Sequence, residues 1–172
     1  MYVSVLQEPR PLERRDDRSR FQSGNTEIED WFHQFAWQNH RAGNARIFVT
    51  TQEPETLGFY ALSMGAVQRS TLPDALKPGQ RPEPCPVLLL ARLAVDQRAQ
   101  GRGIGAALLK DALLRAYKLS HEVGFAALLV HCANDHARDF YLNQSSSFVP
   151  CPGAENHLVL PLHALREFID TL

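Results

Sequence analysis

The chain has little cysteine and no pattern in what it has. Cys85, Cys132 and Cys151 are odd in number and lack the C-x-x-C or Cys/His spacing that a zinc site needs. A disulfide framework is therefore not expected, and the three read as free thiols in a reducing compartment. The seven histidines, from His33 to His163, are scattered without ligand spacing, so no metal is expected. No run of about eighteen apolar residues occurs, which leaves no candidate for a membrane-spanning helix. The opening MYVSVLQEPRPLERRDD has no apolar stretch of the signal-peptide kind, so a cytoplasmic protein is expected. Charge of one sign is lacking too: the formal net charge is -1 at pH 7, too small for a polyanion binder by bulk charge. No internal repeat is visible.

What is present is the composition of one globular domain: 172 residues, 44% apolar and 22% charged, read as a single domain over residues 1–172. YVSVL alternates and is stopped by QEPRP, which predicts a first strand. In the following segment Arg10, Arg14, Arg15, Arg18 and Arg20 alternate with Glu13, Asp16 and Asp17, as on a self-compensated solvated face. In SGNTEIEDWFHQFAWQNHR, Thr26 and Glu29 have capping-box spacing, and Ile28, Trp31, Phe32 and Phe35 share a helical face. One short helix or a pair is expected. ARIFVTT and LGFYALSMGAV, separated by QEPE, predict a hairpin. From Ser70 to Pro86 the prolines exclude a long regular element. VLLLARLAV and FAALLVHC read as buried strands. Between them Leu108, Leu109, Ala112, Leu113 and Ala116 line one face of a helix that Gly124 is expected to stop. NDHARDFYL predicts a short helix capped by Asn134. HLVLPL closes the series as a strand before a helical tail. The order β-α-β-β-β-α-β-α-β implies an α/β fold, a mixed central sheet flanked by helices.

The stretch QGRGIGAALLKDALLRA sits between a buried strand and a helix. Such a glycine turn leaves backbone N–H groups open at the positive end of a helix, where an anion binds. Between Arg92 and Lys118 six basic residues face two acidic ones, which adds a local positive field. A Walker A loop is excluded, because Lys110 is misplaced for GxxxxGK[ST]. A dinucleotide fingerprint is met by Gly101, Gly103 and Ala106, but no acidic residue ends the next strand.

The third pattern, Gln100-x-x-Gly103-x-Gly105, resembles the pyrophosphate loop of the GNAT acetyltransferases, which hold acetyl-CoA. With ARLAVD before it and LLVHCANDHARDFY after it, the chain from Phe21 to Leu162 resembles the TacT-like toxin branch of that superfamily, enzymes that acetylate the amino acid on charged tRNA. The resemblance implies the GNAT fold, acetyl-CoA as cosubstrate, aminoacyl-tRNA as acceptor and a ribbon-helix-helix antitoxin as partner, with a homodimer left open. It implies Tyr141 as the general acid for the departing thiolate, and main-chain groups of Leu93, Ala94 and Val95 against pantetheine. Gln100, Gly101, Arg102, Gly103, Ile104 and Gly105 would cradle the pyrophosphate, with Arg98 and Arg102 either adding charge or remaining solvated. Asn134 would lie near the pantetheine or adenosine arm, or serve only as a helix cap. Arg41, Arg46 and Arg92 are candidate RNA contacts, since phosphate neutralisation supplies most nucleic-acid affinity. An α-amine, with a reference pKa of about 7.7–8.0, needs little help from a base to act as nucleophile. The family's FYxxxGF is FYLNQSSSF here, two residues longer and without the glycine. Two alternatives stay open: acetylation of a small amine or a protein amine, and a CoA- or antitoxin-binding module without catalysis.

Overall fold

A computed structural model describes residues 4–76 and 81–172. The elements are β1 (Arg10–Pro11), α1 (Thr26–Gln34), α2 (Ala36–Ala42), β2 (Arg46–Gln52), β3 (Glu55–Val67), β4 (Cys85–Val95), α3 (Ile104–Leu119), β5 (Ala127–His131), α4 (Asp135–Gln144), β6 (Val149–Cys151), β7 (Ala154–Pro161) and α5 (Leu162–Asp170). The strands form a mixed sheet in the order β1-β2-β3-β4-β5-β7-β6. Only the β4–β5 pairing is parallel among the registered pairs, over Leu88–Leu90 against Leu128–Val130. The expected α/β class is thus observed. The chain divides into two compact units, Met1–Leu62 with Arg92–Ala112, and Ser63–Ala91 with Leu113–Leu172.

In the first unit, alternation along the β2–β3 hairpin sorts side chains to two faces. Ile47, Val49, Phe59 and Ala61 join Phe32 and Ala36 of the two helices in one core. The Phe32 ring stacks on Phe59 with centroids 4.0 Å apart. Phe48 and Tyr60 occupy the other face, 5.1 Å apart, and the Tyr60 hydroxyl donates to Asp111 of α3 at 2.5 Å.

Three expectations for this unit are corrected. Residues 4–6 form no strand, because Val5 and Leu6 are 67% and 37% exposed and have no core to cover; Tyr2 and Val3 lie outside the described residues. The first strand is the short β1. Helix α1 is capped by Asn25, whose side chain accepts from Ile28 N at 3.1 Å, while Glu29 accepts from Gly24 N at 2.8 Å. The cap thus sits one residue before Thr26, because Asn25 is still extended and Thr26 already helical. Phe35 breaks the helix into α1 and α2 and is 46% exposed, so the apolar face ends at Phe32. Nor is the arginine-rich segment a solvated face throughout. Arg10 grips Asp16 with two bonds of 2.7 and 2.8 Å, and the Asp16 side chain is only 4% exposed. Arg18 donates to the carbonyl of Phe32 at 2.8 Å, satisfying the end of α1.

In the second unit, Leu72, Leu76, Cys85, Val87, Ala127, Leu129 and Val159 form a core. The proline-rich segment contributes two of these through 3₁₀ turns at Arg69–Thr71 and Asp74–Leu76; its residues 77–80 lie outside the described residues. All five expected apolar residues of α3 are buried. The helix ends at Leu119, whose carbonyl accepts from Glu122 N and Val123 N at 2.9 Å each. Gly124 follows that turn and does not stop the helix. Strand β6 was not expected; it is three residues long and interrupted by Pro150, too short for alternation to show.

Gly58 lies where packing is tightest: a Cβ there would stand 2.9 Å from Leu108 Cδ1, 3.2 Å from Thr50 Cγ2 and 3.3 Å from the Ala94 carbonyl oxygen. Gly58→Ala is expected to lower unfolding free energy by about 1–3 kcal/mol in urea melts, the usual penalty of overpacking.

Candidate active site

The glycine turn lies in the first unit, where β4 ends. Asp96 follows Val95 with its side chain 1% exposed. It accepts from Arg98 N at 2.9 Å, Arg98 Nε at 2.8 Å, Arg98 Nη2 at 3.1 Å and Gln22 N at 3.1 Å. Burial alone would push its carboxyl up, but these bonds outweigh it and hold the pKa below the ordinary value. The neighbouring residues continue the anchorage: Gln97 N donates to the Gln22 carbonyl at 2.7 Å, and the Gln100 amide bridges the carbonyls of Ser23 at 3.0 Å and Val95 at 3.1 Å. The Gln100 side chain is therefore a brace at the root of the loop, and what it leaves to a ligand is main chain.

From this root the backbone turns through Gly101 and Gly103 at φ +79° and +78°, a region that L side chains enter only with strain. Nothing lies within 4 Å of a Cβ built on either. Helix α3 then starts at Ile104, which is buried and fixes its direction. The N–H groups of Ile104, Gly105 and Ala106 have no acceptor earlier in the helix, and the helix dipole adds partial positive charge. Exposed Arg102 stands between the two glycines, with no ion-pair partner among the described residues. Arg98 differs: it also pairs with Glu55, which in turn takes Arg20 at 2.9 Å. Its charge is engaged by carboxylates, so the positive field expected from the basic count is reduced to the N–H groups and Arg102. Glu55, Gln22 and Ser23 were not foreseen as supports, because they are remote in sequence. Open N–H groups at a helix start are suited to an anion.

Leu93, Ala94 and Val95 lie on β4 beyond Leu90, where its ladder with β5 ends. On the same strand Arg92 is half-buried, its Cζ 4.2 Å above the Trp31 ring. Burial pulls its pKa below the usual guanidinium value, with Glu27 opposing. Arg46 donates to the His40 carbonyl at 3.0 Å, closing α2, and Arg41 is exposed on that helix.

Asn134 and Tyr141 lie in the second unit. Asn134 caps α4 by accepting from Ala137 N at 2.8 Å, so its side chain has a structural task. About two turns on, Tyr141 is 4% exposed, its ring 5.1 Å from Phe140 and 5.8 Å from Phe148. Its hydroxyl has no partner among the described residues and is not among the fully buried unpaired side-chain atoms, Thr51 Oγ1, Thr56 Oγ1 and Arg81 Nε. The ring is thus sealed. Burial, with the Cys132 sulfur nearby, pushes the phenol pKa far above its ordinary value. Cys132 itself is pushed up to about 11 by burial.

The unusual FYLNQSSSF is accommodated by lengthening. Asn143 and Gln144 extend α4; Ser145 N returns to the Tyr141 carbonyl at 3.3 Å, and Ser147 N donates to Ser145 Oγ at 3.1 Å. A serine turn thus replaces the glycine and still delivers Phe148, 3% exposed, to the Tyr141 ring. Among the described residues no group of three or more His, Cys, Asp or Glu could hold a metal, and no helix is long and apolar enough to cross a membrane.

Residues 7–144 match the family model described as the acetyltransferase (GNAT) family, and the chain belongs to that family. In sequence it is similar to a tRNA-acetylating toxin of Mycobacterium tuberculosis, 38% identical over 167 residues that make up 97% of this chain and 99% of the relative. It is also similar to a probable toxin TacT of Sinorhizobium fredii, 28% identical over 90% of each chain. In structure it is similar to AtaT complexed with acetyl-methionyl-tRNAfMet, with a TM-score of 0.82 and 27% identity over 96% of this chain and 99% of that one. A tyrosine-to-phenylalanine mutant of AtaT bound to acetyl-CoA and the C-terminus of the antitoxin AtaR has a TM-score of 0.80 and 26% identity, covering 98% of this chain and 99% of that one.

Removing the Asp96 charge tests the anchorage. Asp96→Asn is expected to cost about 2–3 kcal/mol at pH 7, the scale of hydrogen bonds to a charged group. Because the folded-state pKa is depressed, this stability is present above the ordinary carboxylate value and lost as pH falls through the folded one. Wild type and variant should therefore converge in acid melts below about pH 4.

Proposed function

We propose that the chain is a toxin acetyltransferase that moves the acetyl group of acetyl-CoA onto the α-amino group of aminoacyl-tRNA and so blocks translation. The observation that carries the acceptor class is the likeness to a tRNA-acetylating toxin along 97% of the chain. In this reading residues 1–172 form one GNAT domain, the protein acts in the cytoplasm, and a ribbon-helix-helix antitoxin restrains it.

Each step is assigned to particular residues. Acetyl-CoA supplies an acyl group activated as a thioester. The N–H groups of Gly101 to Gly105, with Arg102, hold its pyrophosphate, and main-chain groups of Leu93, Ala94 and Val95 hold the pantetheine arm. The α-amine of an aminoacyl ester is substantially neutral near pH 8 and attacks without a dedicated base. Tyr141 donates its O–H to the sulfur as it leaves. Because the phenol is a weaker acid than a thiol of pKa about 8.5, it acts first as a hydrogen-bond donor. Any full proton transfer from it must be matched by return of the proton that the acylated amine sheds. Burial serves this role by keeping the phenol undissociated across the working range.

Tyr141→Phe is expected to lower acetyl transfer to charged tRNA by about 10²–10⁴-fold and to relieve growth arrest on expression. Equal growth and equal translation with both forms would contradict the toxin reading. In rapid-mixing assays the wild-type rate should rise through about pH 8 as the amine loses its proton, and stay level through about pH 10, where an ordinary phenol titrates. A descending limb near pH 10 that vanishes in Tyr141→Phe would show that burial does not hold the proton.

A further inference from the structure

Within the first unit the half-buried arginines are held by oxygen atoms, with one exception. Arg10 has Asp16 and Arg18 has the carbonyls of Phe32 and His33, and even the exposed Arg98 has Asp96 and Glu55. Arg92 has the Trp31 ring, and among the described residues no oxygen accepts from its N–H groups. Trp31 is itself fixed: it packs against the core cluster and lies nearly parallel to Phe59, at 17° and 6.2 Å. Phe59 and the Arg92 guanidinium thus both lie against the Trp31 ring. A ring below the plane satisfies the face of the cation but leaves the N–H fork unused. A partly desolvated fork of this kind is completed by an oxyanion that can take two parallel bonds.

Its place in the chain narrows the choice of anion. Arg92 directly precedes Leu93–Val95 on β4, about 3.3 Å per residue along the strand. The proposed function gives those residues to the pantetheine arm, so the fork belongs to the part of the acceptor next to its reacting amine. In an aminoacyl-tRNA the anion there is the last phosphodiester of the acceptor strand.

We propose that Arg92 binds the phosphodiester preceding the 3′-terminal nucleoside of aminoacyl-tRNA, and that Trp31 is a positioning residue that holds the Arg92 fork in plane. The inference rests on the aminoacyl-tRNA reading above and adds what that reading lacks, a means of preferring a polynucleotide ester to a free one. Arg102, exposed and between two glycines, has no such support.

The test compares wild type, Arg92→Met, Arg92→Lys, Trp31→Leu and Trp31→Phe on an aminoacyl-tRNA and on the matching aminoacyl-adenosine, which has no phosphate. The readout is the ratio of kcat/KM for the two acceptors. Arg92→Met and Trp31→Leu should lower the ratio by about tenfold or more. Arg92→Lys should keep part of it, because lysine retains charge but not the fork, and Trp31→Phe should restore most of it. Binding of an acceptor-stem RNA by Arg92→Met should also show a salt slope smaller by about 0.7, one single-strand phosphate contact. An unchanged ratio in Arg92→Met or Arg92→Lys that folds as wild type by circular dichroism, or equal losses on both acceptors, overturns the inference. Wild-type protein that acetylates neither acceptor overturns the substrate reading instead.

Discussion

The site depends on one buried carboxylate. Asp96 gathers N–H groups from Gln22 and Arg98 at the point where β4 gives way to the glycine turn. Without it, a segment containing two left-handed glycines would have little to fix its entry, and the open N–H groups at the start of α3 would not converge. The arrangement also explains why Arg98 is a poor anion ligand. Its fork already meets Asp96, and its remaining edge meets Glu55. In the proposed reading, attraction for a pyrophosphate is left to oriented backbone dipoles, which need no side-chain ordering, and to Arg102.

The second unit uses burial in the opposite sense. Asp96 is buried among donors and stays ionised; Tyr141 is buried among rings and stays neutral. Each environment favours one form: a fixed anion that organises donors, and an undissociated phenol, the form the proposed role of Tyr141 requires. The longer FYLNQSSSF turn does not disturb this, because its additional residues are absorbed by α4 and a serine turn before Phe148 reaches the Tyr141 ring.

Much of this was legible in the residues. The glycine turn, the apolar face of α3, the β2–β3 hairpin and the Asn134 cap declare themselves through local pattern, where spacing of a few residues decides the geometry, whereas Tyr141 was singled out by the family resemblance. What escaped was decided at long range or in very short elements. Nothing near Arg98 in sequence announces Glu55, 43 positions away, and nothing near Arg18 announces the carbonyl of Phe32. Strand alternation in residues 4–6 was overruled by the lack of a surface to cover, and β6 was too short to have a period. The pairing of Trp31 with Arg92 is of the same long-range kind. An amphipathic helix predicts that Trp31 faces inward, but only the position of β4 shows that a cation lies on it.

The central claim is that the acceptor is the α-amine of an amino acid esterified to RNA. It is tested most directly by following label from acetyl-CoA after incubation with charged tRNA, with the same tRNA after mild alkaline deacylation, and with total protein. The account predicts label in the charged RNA alone, released by alkali as an N-acetyl amino acid. Label in deacylated RNA or in protein, with none in charged RNA, would contradict it.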